Sequence, residues 1–538
     1  MKKSIVFVVA LILVFILSLS ACGSKPASGG SSNPSGGGTS GASSTDLLKI
    51  GVFGSIASID VNQEAGILNY YIMAIAAEGL VGFSNDGEII PTVASSWEDE
   101  DATVWKFTIR DNVYFSDGTL LTADDVVYSI ENAMDPEKSP GVAIYFPEYV
   151  RSVEQTGDNE VTVKLDGPHA SFLVNASNAG GLFIRSRAWG ESATAPGSPQ
   201  DLFVGTGPYT VTEFQPGSHV SFTANEKWWG GSPELKQIRF DFFSDENTRL
   251  LAFTQGDIDF ALNIPVDQSE QWGGVDGAQV DFLNDKYYYG LTFDQTVDLF
   301  ADIHVRKAIA YAIDKESIVS GSILKGHGTP ATAITAPEQF ATVMGADEAK
   351  AKLAEVTHYD FDMEKAKEEL ALSNVPDGFE ATITYPDAYP KTGQVSLVIA
   401  EALKELGITL NVKEVPLDQW LNEMANGEQG IEWMIYGPTT TEPGEIASWL
   451  LDAEGPGYNP ANWTNEEATA LTMEIMTAPT FADQIDPIIK ANSIAQEQVI
   501  YAPVWWGQSA IAYQGSIKVR DYNALSLFGS NWPQLFVE

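Results

Sequence analysis

The chain has almost no cysteine and little positive charge. Among its 538 residues there is one cysteine, Cys22, so no disulfide forms within the chain and no thiolate metal or redox centre can be built. The five histidines, His169, His219, His304, His327 and His358, are scattered without metal-ligand spacing. Lysine and arginine number 30 against 73 aspartates and glutamates, a formal charge of −43. The negative charge is spread along the chain and reads as a solvated acidic surface. Nucleic acid is excluded as a partner because phosphate binding needs a basic patch, and the acidic field favours cationic ligands over anionic ones. No G-x-S-x-G, H-E-x-x-H or Walker A pattern occurs, and carboxylate pairs are too frequent to mark a catalytic couple. The chain therefore reads as a non-enzyme with no cofactor and no metal, a secreted hydrolase being the enzyme alternative.

One long apolar run is present, at the N-terminus. Lys2 and Lys3 precede the apolar stretch from Ile5 to Leu17, and Leu19-Ser20-Ala21-Cys22 follows it, the layout of a secretory signal over residues 1–21. A polar tract follows this short run, which argues against a membrane-spanning helix. The Leu-Ser-Ala-Cys stretch resembles the lipobox of bacterial lipoproteins, which implies a lipidated Cys22 as the mature N-terminus and a membrane-surface anchor. Residues 22–45 are rich in Gly, Ser and Pro and read as a flexible tether. The remainder exceeds one ordinary domain.

The stretch from Pro91 to Val127 organises the rest. Trp105, Phe107 and Ile109 alternate with Lys106, Thr108 and Arg110, as in a half-buried strand; Val113 and Phe115 begin a second alternating run. Asp117-Gly118 signals a turn, and Thr122 with Asp124 and Asp125 opens a helix carrying Val126, Ile130 and Met134 on one face. This order of residues resembles the extracytoplasmic solute-binding proteins of the peptide/nickel class (family 5), the capture subunits of ABC importers. Two further blocks match. One runs from Gly205-Thr206-Gly207-Pro208-Tyr209 to Trp228-Trp229-Gly230, and the other is the amphipathic helix from Val305 to Lys315. The first block lacks the Lys-Ser/Thr ending of a phosphate loop, so its glycines read as a tight turn and Trp228 and Trp229 as cover for a core edge.

Elsewhere, Leu48 to Val52 reads as a first strand, Ile67 to Leu80 as a helix, and Val161 to Leu165 and Tyr287 to Leu291 as strands. The second half alternates helix and strand. Val395 to Leu406 forms a helical stripe stopped by Gly407, followed by strands at Ile408–Val412 and Glu432–Tyr436 with a helix between them. That alternation predicts an α/β lobe with a largely parallel sheet.

The resemblance implies a large three-domain α/β periplasmic-binding-protein-like fold (type II, cluster C) with two lobes and a hinge. Domain I would combine 46–90, 204–300 and 503–538, with 91–203 as inserted domain II and 301–502 as domain III, the second lobe. It implies capture of an extracellular solute, most readily an oligopeptide, in an interdomain cleft for delivery to a membrane permease. Oligosaccharide, a nickel complex and a surface peptide-signal receptor are the alternatives. The chain is expected to be a monomer on the outer face of the cell membrane or in the periplasm. Peptide-binding relatives carry a loop Asp that pairs with the peptide's ammonium. Aligned on Glu442-Pro443, that place falls on Thr439 and the preceding aromatic on Tyr436. Thr439 can hydrogen-bond an amide, hydroxyl or sugar but cannot neutralise a charge, which argues against recognition of a free peptide N-terminus unless another acid such as Glu442 or Glu445 supplies the charge. The other expected cleft residues are Trp420, Trp505, Trp506, Tyr289, Ser55 and Ile56.

Overall fold

The computed structural model describes residues 47–529 apart from 65, 85–86, 141, 144–148, 170, 427–429, 439, 453–458, 516, 521 and 524–525, and gives no side-chain detail at 418, 425 and 426. The expected signal, the tether with Cys22, and Thr439 lie outside the described residues.

Leu48, Ile50 and Val52 are buried, and the strand Leu47–Phe53 that carries them lies inside a nine-stranded sheet. It pairs in parallel with Gln237–Phe243 and Phe260–Ala261, and the antiparallel strands His219–Ala224 and Tyr209–Gln215 complete that side. On the other side run two long antiparallel strands, Gln279–Phe293 and Tyr501–Tyr513, with Ile431–Tyr436 at the edge. These two strands serve more than one core. Ile511 and Tyr513 pack with Leu48, Ile50 and Phe260, whereas Leu291, Val504 and Trp505 pack with the helices Ile303–Tyr311, Pro390–Leu403 and Phe481–Glu497.

In the second half, Glu380–Pro386, a strand the sequence reading did not assign, pairs in parallel with Thr409–Val415, the two joined by the helix Pro390–Leu403, with Gly407 at φ 72° ahead of the second strand. That pair is a two-stranded sheet of its own, and the other expected strand, Ile431–Tyr436, lies antiparallel in the nine-stranded sheet, against the sequence reading. Ile431, Glu432, Trp433 and Met434 are all buried, so this strand needs cover on both faces. It pairs antiparallel with the edge of the long strand Gln279–Phe293, and Ile431, Trp433 and Met434 pack into the core shared with the helices of the second half.

Residues 94–165 build a separate four-stranded antiparallel sheet whose inner face carries Trp105, Phe107, Val161 and Val163. The helix Ala123–Met134 covers it and begins with a reciprocal capping box between Thr122 and Asp125. The alternation at Val113 and Phe115 gives buried residues but no strand. Tyr114 makes a single bridge to Leu120 around Gly118, whose φ is +89°.

The expected helix from Ile67 to Leu80 stops at Met73. The backbone that would continue it is used elsewhere: Gly207 N donates to Ala76 O and Tyr209 N to Ile75 O. That approach requires glycine, since a Cβ on Gly207 would sit 2.6 Å from the carbonyl carbon of Ala76. The turn delivers Glu78 into the interior, where the indole N–H groups of Trp228 and Trp229 donate to its carboxylate at 3.2 and 3.0 Å. The Trp pair thus does more than cover a core edge. Burial, partly opposed by those donors, pushes the Glu78 carboxyl up to about 7.

The native state therefore keeps a proton on Glu78 at pH values where the unfolded chain has released it, so this group favours folding at low pH. Its contribution is lost as pH rises from the ordinary value of 4.5 through about 7. Comparing denaturant midpoints of wild type and Glu78→Gln from pH 5 to 8 tests this. Wild type is expected to lose up to about 3 kcal/mol relative to the variant across the interval, and parallel curves would contradict it.

Candidate functional site

The two long strands are not in simple register where they leave one core for the other. Asn284 pairs with Gln508 and Tyr288 with Trp506, so Asp285, Lys286 and Tyr287 oppose Gly507 alone. A bulge of this kind re-aims side chains. Gly507 leaves the room: a Cβ there would lie 3.1 Å from Cβ of Tyr287 and 3.3 Å from the ring of Tyr289. Gly437 similarly lets the Tyr287 ring lie against the backbone, since a Cβ there would be 2.2 Å from it.

Aromatic rings gather on the bulge. Tyr289 stacks on Trp505 with centroids 4.4 Å apart and planes 7° from parallel, and Trp433 meets Trp505 edge-on at 5.6 Å. Tyr287 and Tyr389 approach Tyr289 at 6.3 and 6.4 Å. Trp506 is committed elsewhere, its indole N–H donating to Ala333 O at 3.1 Å. Tyr436 lies opposite Tyr288 in the sheet and donates from its hydroxyl to Glu445 at 3.3 Å.

The loop after Tyr436 is tied to the bulge by charge. The buried Lys286 ammonium donates to Thr440 O at 2.5 Å, and Glu445 accepts from the Thr440 N–H and hydroxyl at 2.8 and 2.5 Å. Burial lowers the Lys286 pKa, with Glu445 and Asp285 pulling the other way. Asp285 accepts from the Lys286 N–H at 2.7 Å, and its carboxyl is raised by burial against bonds from Lys286, Tyr287 and Ser509. Glu442, also raised by burial, accepts from the Ser171 hydroxyl at 2.7 Å and from the Gln484 amide at 2.8 Å. Ser171 opens the helix Ser171–Asn175 against the four-stranded sheet, so this bond joins segments 271 residues apart. A second bridge, 3.1 Å, joins Lys391 on the helix Pro390–Leu403 to Asp267, beside the strand Phe260–Ala261.

Among the expected site residues, Tyr289, Trp505, Trp506 and Tyr436 come together around this bulge. Trp420 lies in the same hydrophobic core as they do, 3% exposed on the helix Leu417–Asn426. Ile56 is buried in the other core beneath the strand Leu47–Phe53, and Ser55 beside it is exposed. The residues missed were Asp285, Lys286, Tyr389, Ser171 and Lys391. Asp285-Lys286, a charged pair set directly before the aromatic run Tyr287 to Tyr289, was the available signal. Among the described residues no group of three or more His, Cys, Asp and Glu is placed to hold a metal ion, and no helix is long and apolar enough to cross a membrane.

Comparison with known proteins agrees with this architecture. The family "Bacterial extracellular solute-binding proteins, family 5 Middle" matches residues 88–458. A probable D,D-dipeptide-binding periplasmic protein of Escherichia coli K12 is 24% identical over 494 residues, covering 89% of this chain and 92% of that one. Two solved structures share the fold. A periplasmic binding protein from Helicobacter pylori, in complex with the peptide STSA, has TM-score 0.75 at 21% identity, covering 91% of this chain and 98% of its own. A Campylobacter jejuni protein in complex with Ni(L-His) has TM-score 0.76 at 20% identity, covering 92% and 100%. The chain belongs to the family 5 bacterial extracellular solute-binding proteins, the solute-binding components of ABC transport.

Proposed function

We propose that this chain captures a short peptide outside the cell and presents it, enclosed, to an ABC permease. The observation that carries the reading is the pair of strands Gln279–Phe293 and Tyr501–Tyr513, which serve two hydrophobic cores and carry an aromatic cluster where they pass between them. In this reading the cores belong to two lobes, with residues 91–203 inserted in the first, and the strands act as the hinge. The bonds Ser171–Glu442 and Asp267–Lys391 hold the lobes together on the closed side. Residues 1–21 act as the signal, Cys22 carries the lipid, and residues 22–45 tether a monomer to the outer face of the membrane. Several relatives support the peptide class by what they bind, including the E. coli dipeptide-type protein and the H. pylori protein bound to STSA.

Thermal-shift screening of the purified protein tests the class, because a ligand that binds only the native state raises the melting temperature by mass action. A tripeptide library is expected to raise it, and maltotriose to leave it unchanged; the reverse pattern would overturn the peptide reading. The closing contacts make a second prediction. Ser171→Ala removes the bond to Glu442, which is expected to weaken binding about tenfold with little change in the ligand-free melting temperature. Unchanged affinity in calorimetry would show that the bond plays no part in closure.

A further inference from the structure

Besides the two polar bridges, one apolar contact joins distant parts of the chain. The helix Phe481–Glu497 carries an apolar stripe, and its Ile485, Ile488 and Ile489 pack into the core they share with the helices of the second half. Phe481, at the head of the stripe, packs elsewhere. It lies against the buried Phe83, Val174 and Ala179, together with Ile67, Tyr71 and Ile89. In the proposed division, residues 67 to 89 fall in domain I, 174 and 179 in its insert, and 481 in the second lobe.

The local sequence explains how Phe481 is held there. Thr480 caps its helix, accepting from the Asp483 N–H at 3.3 Å and donating from its hydroxyl to the Asp483 carboxylate at 2.6 Å. Three residues after Phe481, the buried Gln484 accepts from the Gly444 N–H at 3.3 Å and donates to Glu442 at 2.8 Å. The short helix Ser171–Asn175 repeats this spacing: Ser171 donates to Glu442, and Val174 belongs to the cluster that receives Phe481. Residues three apart share a helical face. The two helices therefore meet through a polar contact, Ser171 with Glu442 and Gln484, and an apolar one, Val174 with Phe481, a single turn apart.

The apolar contact is built to separate. Phe83, Val174 and Ala179 form a buried floor, whereas Ile67, Tyr71, Ile89 and Phe481 itself are half-buried. The floor belongs to one set of elements, and the helix behind Phe481 is anchored in a core of its own. Withdrawing the ring thus dismantles neither. It does expose ring and floor to water, a cost that water cannot repay as it does for a broken hydrogen bond.

Resting on the reading of two lobes that close on a solute, we propose that Phe481 is an apolar latch of the closed form, seated between Ile67, Tyr71, Phe83, Ile89, Val174 and Ala179 when the lobes meet and withdrawn when they part. The latch acts on closure itself. It strengthens every captured solute by the same factor and leaves the choice among solutes unchanged.

The test is calorimetry on the purified protein with the tripeptides that raise the melting temperature most. Phe481→Ala is expected to weaken all of them by one common factor of about tenfold or more, and Phe481→Leu to retain most of the affinity. The ligand-free melting temperature is expected to stay the same in both, because the open form already has the ring in water. A thiol introduced by Phe481→Cys, with Cys22→Ser, reports the seat without any solute. It is expected to react with a chromogenic disulfide reagent as an exposed thiol does, and to be protected by a bound tripeptide. Unchanged affinity in Phe481→Ala, a ligand-free melting temperature that falls as after a core truncation, or a thiol protected without solute would each overturn the latch while peptide capture stands. If maltotriose binds and no tripeptide does, the peptide reading falls, and the same comparison with maltotriose decides the latch by itself.

Discussion

Everything in this molecule depends on two antiparallel strands that are shared. Gln279–Phe293 and Tyr501–Tyr513 exchange backbone hydrogen bonds from Gln279–Tyr513 at one end to Thr292–Tyr501 at the other. A β-ladder resists stretching and shear, but a two-strand connection bends and twists readily, and more so at a bulge. The proposed motion follows from that mechanical contrast. In that proposed motion the close-packed cores move as rigid units and the bending falls on the two strands.

The bulge gives that junction its chemistry. Three residues on one strand oppose a single glycine on the other, which turns Asp285 and Lys286 out of the alternation that would have placed one of them in solvent. The Lys286 ammonium is then directed to the loop after Tyr436, while Asp285 accepts from the Lys286 N–H with the Lys286 charge close by. The stack of Tyr289 on Trp505, backed by Trp433, braces the junction from one side. The far-separated bonds Ser171–Glu442 and Asp267–Lys391 add attachments that are few and individually modest, as a closure that must reopen requires.

Much of the fold was legible in the sequence because its signals are local. Period-two burial of Trp105, Phe107 and Ile109, the capping box of Thr122 with Asp125, and the stop at Gly407 each depend on a few neighbouring residues. The misreadings share one cause, competition from distant backbone. The helix expected to reach Leu80 ends at Met73 because residues 205–209 take the hydrogen bonds of Ile75 and Ala76. The strands of the second half do not form one parallel sheet because Ile431–Tyr436 joins, antiparallel, a strand made much earlier in the chain. At the candidate site, Trp505, Trp506 and Tyr436 were named from resemblance to a known pattern and Tyr289 from its place near the expected lobe crossover. Asp285 was not, since a charged pair in an acidic chain looks like ordinary surface until a bulge turns it inward. Ser171 and Glu442 carry no mutual signal in the sequence, and only the fold brings them together.

Hinge motion about the shared strands is the central claim, and a distance measured across them tests it most directly. Spin labels at Asp158→Cys, in a turn of the four-stranded sheet, and Lys413→Cys, in the parallel pair, with Cys22→Ser to remove the native thiol, report the separation by pulsed electron resonance. A binding tripeptide is expected to shorten and narrow the distance distribution relative to the ligand-free protein. A distribution that stays the same at saturating peptide would contradict the hinge and leave the crossing strands as a rigid support.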